Sequence, residues 1–301
     1  MNYKNINDLI LNGNTLSEEV IDDDILRYVL ANNVLAIYLN RFGQGVSKES
    51  RRKLEIVTKA LHLANNKFQR TLRLITEICK KHNIDFLLFK TYKCFGDEYL
   101  GDIDLLVREN QIEVFVDNLK TVGFSCRKEG RKKYECRKKI FSKIEPRTEV
   151  VFHGIKIFGQ EDLWKNKQVV KIKASVVPTT SSLIDTYALL FNVFYGPKYM
   201  DLYLYKLVRQ NMGAANVFVA KANNDYINRF LKGVSIRGSN QKFPVFPSNT
   251  LFFDFWLKEI TKSRYISLFS KLKHLIFFLY IKYKYLFFNK LEFSHSLHLS
   301  R

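Results

Sequence analysis

Two aspartates spaced two apart, Asp102 and Asp104, sit in the run GDIDLLV, from Gly101 to Val107. On a strand, residues i and i+2 project from one face, which holds the two carboxylates about 7 Å apart at Cβ. Like charges that close repel, and folding them together costs energy unless a cation lies between them. Carboxylate oxygens are hard donors suited to Mg²⁺ or Mn²⁺ rather than zinc. The plainer alternative is that one aspartate caps the next helix and the other is solvated. Ile103 and Leu105 to Val107 mark the run as an interior strand, where unpaired acids are costly, and this favours a metal site. Phosphoryl chemistry on divalent ions usually calls for a third carboxylate. Glu145 in FSKIEP and Glu149 in RTEVVFHGIKI both adjoin strand-like runs, and the pattern alone does not choose between them. A surface acid paired with nearby lysines and arginines is the plainer role for either, and the better one for Glu149.

These acids need a frame to position them. Over Arg51 to Lys81, apolar residues recur at Leu54, Val57, Leu61, Phe68, Leu72, Ile75 and Ile78, which predicts a long amphipathic helix ended by His82 and Asn83. Ile84 to Lys90 (IDFLLFK) reads as a short buried strand, followed by the turn-like TYKCFGDEYLG and then the aspartate strand. NQIEVFVDNLKTVGF continues as a helix ending near Gly123. The order is helix, strand, connection, strand, helix. Downstream, LIDTYALLFNVFYGPKYMDLYLYKLV is aromatic-rich helical core, and His153 and Trp164 read as packing residues. Gly233 to Pro247 is dense enough in breakers to predict a long loop or subdomain joint.

Composition narrows the class. The 301 residues carry 49 Lys and Arg against 29 Asp and Glu, a net charge of +20, and 47% are hydrophobic, so a disordered or collagen-like chain is excluded. Four cysteines, Cys79, Cys94, Cys126 and Cys136, show no CxxC spacing, which argues against a disulfide scaffold or zinc module. They suggest a reduced, cytoplasmic chain. The amino terminus lacks the basic-then-apolar layout of a signal peptide.

The ordered set of motifs resembles the nucleotidyltransferase superfamily that includes DNA polymerase β, and more closely a poorly characterised branch with a K-T…D-I-D-L-L-V pattern. The matching residues are Asn83-Ile84 with Leu87 to Thr91, Gly101 to Val107, Asn118 to Phe124, Ile144 to Gly154, Glu161 to Trp164, and the helical stretch SLIDTYALLFNVFYG. The resemblance covers roughly residues 51 to 210. It implies an α+β fold, a mixed β-sheet flanked by helices, and transfer of a nucleoside monophosphate from an NTP to an acceptor hydroxyl with two Mg²⁺ (or Mn²⁺) ions. It maps the metal-binding pair onto Asp102 and Asp104 and, by register, the third carboxylate onto Glu145. Lys90 and Thr91 take the place of the superfamily's phosphate-binding Gly-Ser, where backbone N–H groups and a hydroxyl hold phosphate oxygens. The glycine of that turn is absent here. Glu145 replaces the usual Asp, and Pro146 after it donates no ladder bond.

The implied organisation is an N-terminal helical segment (1–50), a catalytic domain (51–175) and a helical C-terminal region with a basic aromatic tail (176–301). Arg127 to Lys143 holds nine basic residues against two acidic, either a solvated hairpin or a rim for triphosphate or nucleic acid. The tail around Leu275 to Ile281 is far shorter than the ~20 apolar residues of a spanning helix. It reads as a docking helix with a solvated basic face or, alternatively, as an interfacial helix on anionic lipid. The alternatives to an active transferase are an inactive nucleotide- or polyanion-binding module, and a peripheral membrane protein acting on surface-polymer or lipid-linked acceptors.

Overall fold

The computed structural model describes residues 3–12, 48–90, 102–129, 132–152, 155–156, 158–165, 167–172, 175–194, 202–210, 225–237, 249–261 and 267–288, with isolated positions between them. Thr91, Cys94, His153 and most of the first fifty residues lie outside these. The chain divides into two compact units, one of Arg52–Val151 with Lys156–Asp185, the other of Met1–Arg51, Phe152–Ile155 and Thr186–Arg301.

The first unit is built on a seven-stranded mixed sheet in the order β3-β4-β5-β2-β1-β9-β8. Its strands are β1 (Phe86–Phe89), β2 (Asp102–Val107), β3 (Ser125–Lys128), β4 (Tyr134–Arg137), β5 (Lys143–Arg147), β8 (Gln168–Ile172) and β9 (Ser175–Thr179), while β6 (Val151–Phe152) and β7 (Ile155–Lys156) form a separate two-stranded ladder. β2 runs antiparallel to β1 and parallel to β5, so the aspartate strand is interior, as its apolar residues predict.

The helices follow the sequence in chain order: α1 (Tyr3–Asn12), α2 (Lys48–His82), α3 (Ile112–Thr121), α4 (Gln160–Lys165), α5 (Ser182–Phe194), α6 (Asp225–Arg237), α7 (Asn249–Phe255) and α8 (Leu268–Phe288). A further helical stretch covers 202–210. Along α2, Phe68, Leu72, Ile75 and Ile78 are buried, the 3–4 spacing that one helix face requires. Asn83 then turns left-handed (φ 51°) and Ile84 N–H donates to the Cys79 carbonyl at 2.9 Å, closing the helix with a Schellman geometry. α3 ends the same way, with Gly123 at φ 86° and Phe124 N–H on the Leu119 carbonyl. The Gln111 side chain joins the two helix boundaries, accepting from Asp85 N–H and donating to the Asn83 carbonyl.

In the second unit the aromatic-rich stretch is core: Tyr187, Phe191 and Phe194 on α5 and Tyr203 and Tyr205 in 202–210 are buried. Two expectations need adjusting, and residues 238–246 of the predicted Gly233–Pro247 loop lie outside the described residues. Gly233 does not open a loop but lies inside α6, which runs on to Arg237; one glycine costs a helix about 1 kcal/mol, and buried Phe230, Leu231 and Val234 outweigh it. The exposed face of α8 is not simply basic, because Leu268, Phe269, Leu272 and Ile276 all stand in solvent.

The cysteines also need correcting. Cys126 and Cys136 are disulfide-bonded, although their spacing gives no such signal. They are direct partners across the β3–β4 hairpin, with Cα atoms 4.1 Å apart, and that proximity comes from strand register rather than from sequence distance. Cys79 is a buried free thiol, which burial and the nearby Asp85 push up to about 12.

Candidate active site

The two faces of the sheet differ in kind. On β2, Ile103, Leu105 and Val107 point to one face and are fully buried; on the same face of β5 and β4 lie Ile144 and Cys136. α3 packs against β3, β4 and β5. Alternation then sends Asp102 and Asp104 to the opposite face, together with Lys143, Glu145 and Arg147 of β5.

Register brings the proposed acids together. In the parallel β2–β5 ladder Asp102 lies opposite Lys143 and Asp104 opposite Glu145. Glu149 lies beyond the end of β5 and pairs with Lys132 at 3.5 Å. Pro146 sits opposite Leu105 within the interior strand, between Ile144, which meets Cys136 of β4, and Arg147, which bridges to Lys133 just before β4.

Cations hold each of these carboxylates. Asp104 is buried, and its oxygens accept from Arg147 Nη2 and from Lys90 Nζ, the latter at 3.1 Å. Burial alone would raise its pKa, but Lys90 and Arg147 more than offset this and hold it below the usual range. Glu145 accepts from Lys143 at 2.5 Å, Lys133 at 2.8 Å and Arg147 at 2.9 Å. Burial again opposes ionisation, and Lys133 and Lys143 bring Glu145 down to about 2. Asp102 is half-exposed and meets Lys143 at 3.1 Å. Lys143 therefore bridges Asp102 and Glu145, and Arg147 bridges Glu145 and Asp104. Sequence reading missed both residues as parts of the site; their placement at i−2 and i+2 from Glu145 on a strand was the available signal.

The donors are of the right type for a hard divalent ion and share one face on adjacent strands. Their oxygens, however, are turned to ammonium and guanidinium groups, and among the described residues no three His, Cys, Asp or Glu side chains converge as a ready metal site. The acids suit such an ion in kind and placement, and a bound ion would compete with Lys143 and Arg147.

Lys90 lies at the exit of β1 with φ at 63°. Its N–H donates to Asp185 Oδ1 at 3.2 Å, and the same oxygen accepts from the Thr180 hydroxyl. Asp185 is fully buried in the first turn of α5 and so fixes the backbone where the strand ends. Nothing in the sequence pattern distinguished it. Thr91 and the rest of the proposed phosphate turn lie outside the described residues. In the basic segment, Arg127, Lys128, Lys132, Lys133, Arg137 and Lys143 each face a carboxylate of this unit. Trp164 lies under the Arg108 guanidinium, 3.9 Å from ring centroid to Cζ.

No protein-family model matches the chain, and no curated protein matches it. Among solved structures it is similar to the lincosamide antibiotic adenylyltransferase LnuA bound to lincomycin, at 12% identity and a TM-score of 0.36, covering 48% of this chain and 96% of that one. It is also similar to the antibiotic-resistance factor ANT(2'')-Ia, at 13% identity and a TM-score of 0.41, covering 57% of this chain and 98% of that one.

Proposed function

We propose that the chain is a metal-dependent nucleotidyltransferase, moving a nucleoside monophosphate from an NTP to an acceptor hydroxyl with release of pyrophosphate. The observation that carries this reading is the β2–β5 register, which sets Asp104 against Glu145 with Asp102 two residues along on the same face. In the reaction the acceptor oxygen bonds to the α-phosphorus, the bond to the β-phosphate oxygen breaks, and pyrophosphate leaves. Asp102, Asp104 and Glu145 would hold the divalent ions, which when bound offset triphosphate charge and make the hydroxyl easier to ionise. Glu145, ionised at neutral pH, supplies fixed negative charge, and the hydroxyl proton passes to water. Lys90, with Thr91 beside it, is the cation for the leaving phosphates, oriented by the Asp185 bond to its backbone.

The arrangement of Lys90, Lys143 and Arg147 around the acids favours a second reading, a nucleotide- or polyanion-binding module without turnover. One experiment separates the two. The protein is incubated with each of the four α-labelled NTPs, Mg²⁺ and a pool of small hydroxyl compounds, beside Asp102→Ala/Asp104→Ala. The transferase predicts label transfer and pyrophosphate release that fall at least ~100-fold in the variant, the scale expected when transition-state charge stabilisation is lost. Equal labelling by both proteins sinks the transferase reading, and NTP binding without transfer selects the module.

A further inference from the structure

Helix α8 spans Leu268–Phe288 and contains no aspartate or glutamate. One side of it is used within its own unit. His274 and Phe278 are buried, His274 Nε2 donates to the Phe194 carbonyl at 3.0 Å, and Trp256 Nε1 donates to the Lys271 carbonyl at 3.1 Å. The other side is apolar and in solvent: Leu268 is 84% exposed, Phe269 77%, Leu272 52%, Ile276 57% and Tyr283 50%.

At roughly 100° per residue these five fall within an arc of roughly 100°. By the same periodicity Lys273 lies about 40° beyond one edge of the arc, between exposed Tyr280 and Phe277, and Lys271, whose ammonium donates to the Thr261 carbonyl, lies about 60° beyond the other. A solvent-exposed stripe of Leu, Ile, Phe and Tyr on a helix that carries lysines and no acid is the layout of a helix lying in a lipid interface, its apolar side chains at the acyl boundary and its positive charge near phosphates. No described helix is long and apolar enough to cross a membrane. A second copy of the same stripe would bring two lysine-bearing, acid-free helices together on a chain of net charge +20, whereas an anionic bilayer complements both the apolar stripe and the positive charge.

We propose that α8 seats the protein on the surface of an anionic phospholipid bilayer, with Leu268, Phe269, Leu272, Ile276 and Tyr283 in the lipid. The inference is independent of the transferase reading, since none of these residues belongs to the carboxylate site. It is tested by co-sedimentation of the full chain with phosphatidylcholine vesicles and with vesicles containing 30% phosphatidylglycerol. Leu272→Glu/Ile276→Glu is compared with Val169→Glu/Val176→Glu, which makes the same charge change at exposed valines of β8 and β9. The intact chain is expected to bind the anionic vesicles at least ~10-fold more tightly than the neutral ones, and the α8 variant to lose at least ~10-fold. The β8–β9 variant should stay within about 2-fold of the parent, because insertion rather than net charge sets the difference. Equal binding by the α8 variant and the parent overturns the proposal. So does equal loss in both variants, which would reduce the effect to overall charge. Failure of the intact chain to sediment with either vesicle also overturns it, as does a dimer in sedimentation velocity that the α8 variant dissolves, which would assign the stripe to a second copy. Unchanged thermal unfolding of both variants excludes misfolding as the cause.

Discussion

Lys143 is the residue on which the carboxylate cluster turns. Its ammonium lies between Asp102 and Glu145, and both carboxylates raise its pKa although burial works against the charge. On the proposed transferase reading it stands where a divalent ion would sit, and the two would compete. Lys143→Met removes the cation shared by Asp102 and Glu145 while keeping most of the side-chain volume. The carboxylates then repel, so the variant is expected to be less stable without metal. It should also bind Mn²⁺ about 10-fold more tightly in a titration followed by electron spin resonance, and regain thermal stability when Mg²⁺ is added. Unchanged or weaker Mn²⁺ binding would remove Asp102 and Glu145 as ligands. Competition of this kind was invisible in the sequence, where Lys143 reads as one more charge in a basic run. Only the parallel register sets it opposite Asp102. Glu145 against Glu149 was undecided by pattern for the same reason: strand pairing, not composition, distinguishes a residue facing Asp104 from one four positions on.

At the scale of elements the frame was largely legible, because helices and buried strands are written in local periodicity. α2, β1, β2 and α3 fall where the spacing of apolar residues sets them, and Asn83 and Gly123 end the helices where left-handed turns are needed. The β3–β4 hairpin and its disulfide were not legible, since Cys126 and Cys136 become neighbours only through pairing. Asp185 was hidden for a related reason: its partners, Lys90 and Thr180, come from other parts of the chain or from a strand end. The periodicity of α2 makes a direct prediction. Leu72 is fully buried and Leu63, nine residues earlier, is 58% exposed. Leu72→Ala should cost about 2–5 kcal/mol in urea unfolding and Leu63→Ala within about 0.5 kcal/mol. Similar costs at both positions would mean that the helix does not present the face assigned to it.

Over the whole molecule the charge balance makes acid the sensitive direction. At neutral pH 29 carboxylates oppose 49 lysines and arginines, and protonating the carboxylates leaves the basic groups to repel one another. The pairs around the site add a specific component. Glu145 ordinarily titrates at 4.5 and is held near 2 in the folded chain, and Asp104 is shifted in the same direction. A carboxylate depressed by folding contributes stability that is fully present above its unfolded value, and that contribution disappears as pH falls toward the folded one. For Glu145 the window runs from about 4.5 down to about 2. Urea unfolding of the full chain should therefore give a plateau from neutral pH down to about 5 and a steep loss of stability below it. Adding 0.5 M salt should recover the part due to general repulsion, because exposed charges are screened at that ionic strength and buried pairs much less so. Glu145→Gln removes the titrating group. Its stability at neutral pH should be lower, with Lys133, Lys143 and Arg147 deprived of a partner, and its curve below pH 4.5 correspondingly flatter. A variant curve parallel to that of the parent across this window would show that Glu145 is not held ionised by its cations. The electrostatic frame assigned to the site would then be wrong, while the fold and the lipid-facing stripe of α8 would stand untouched.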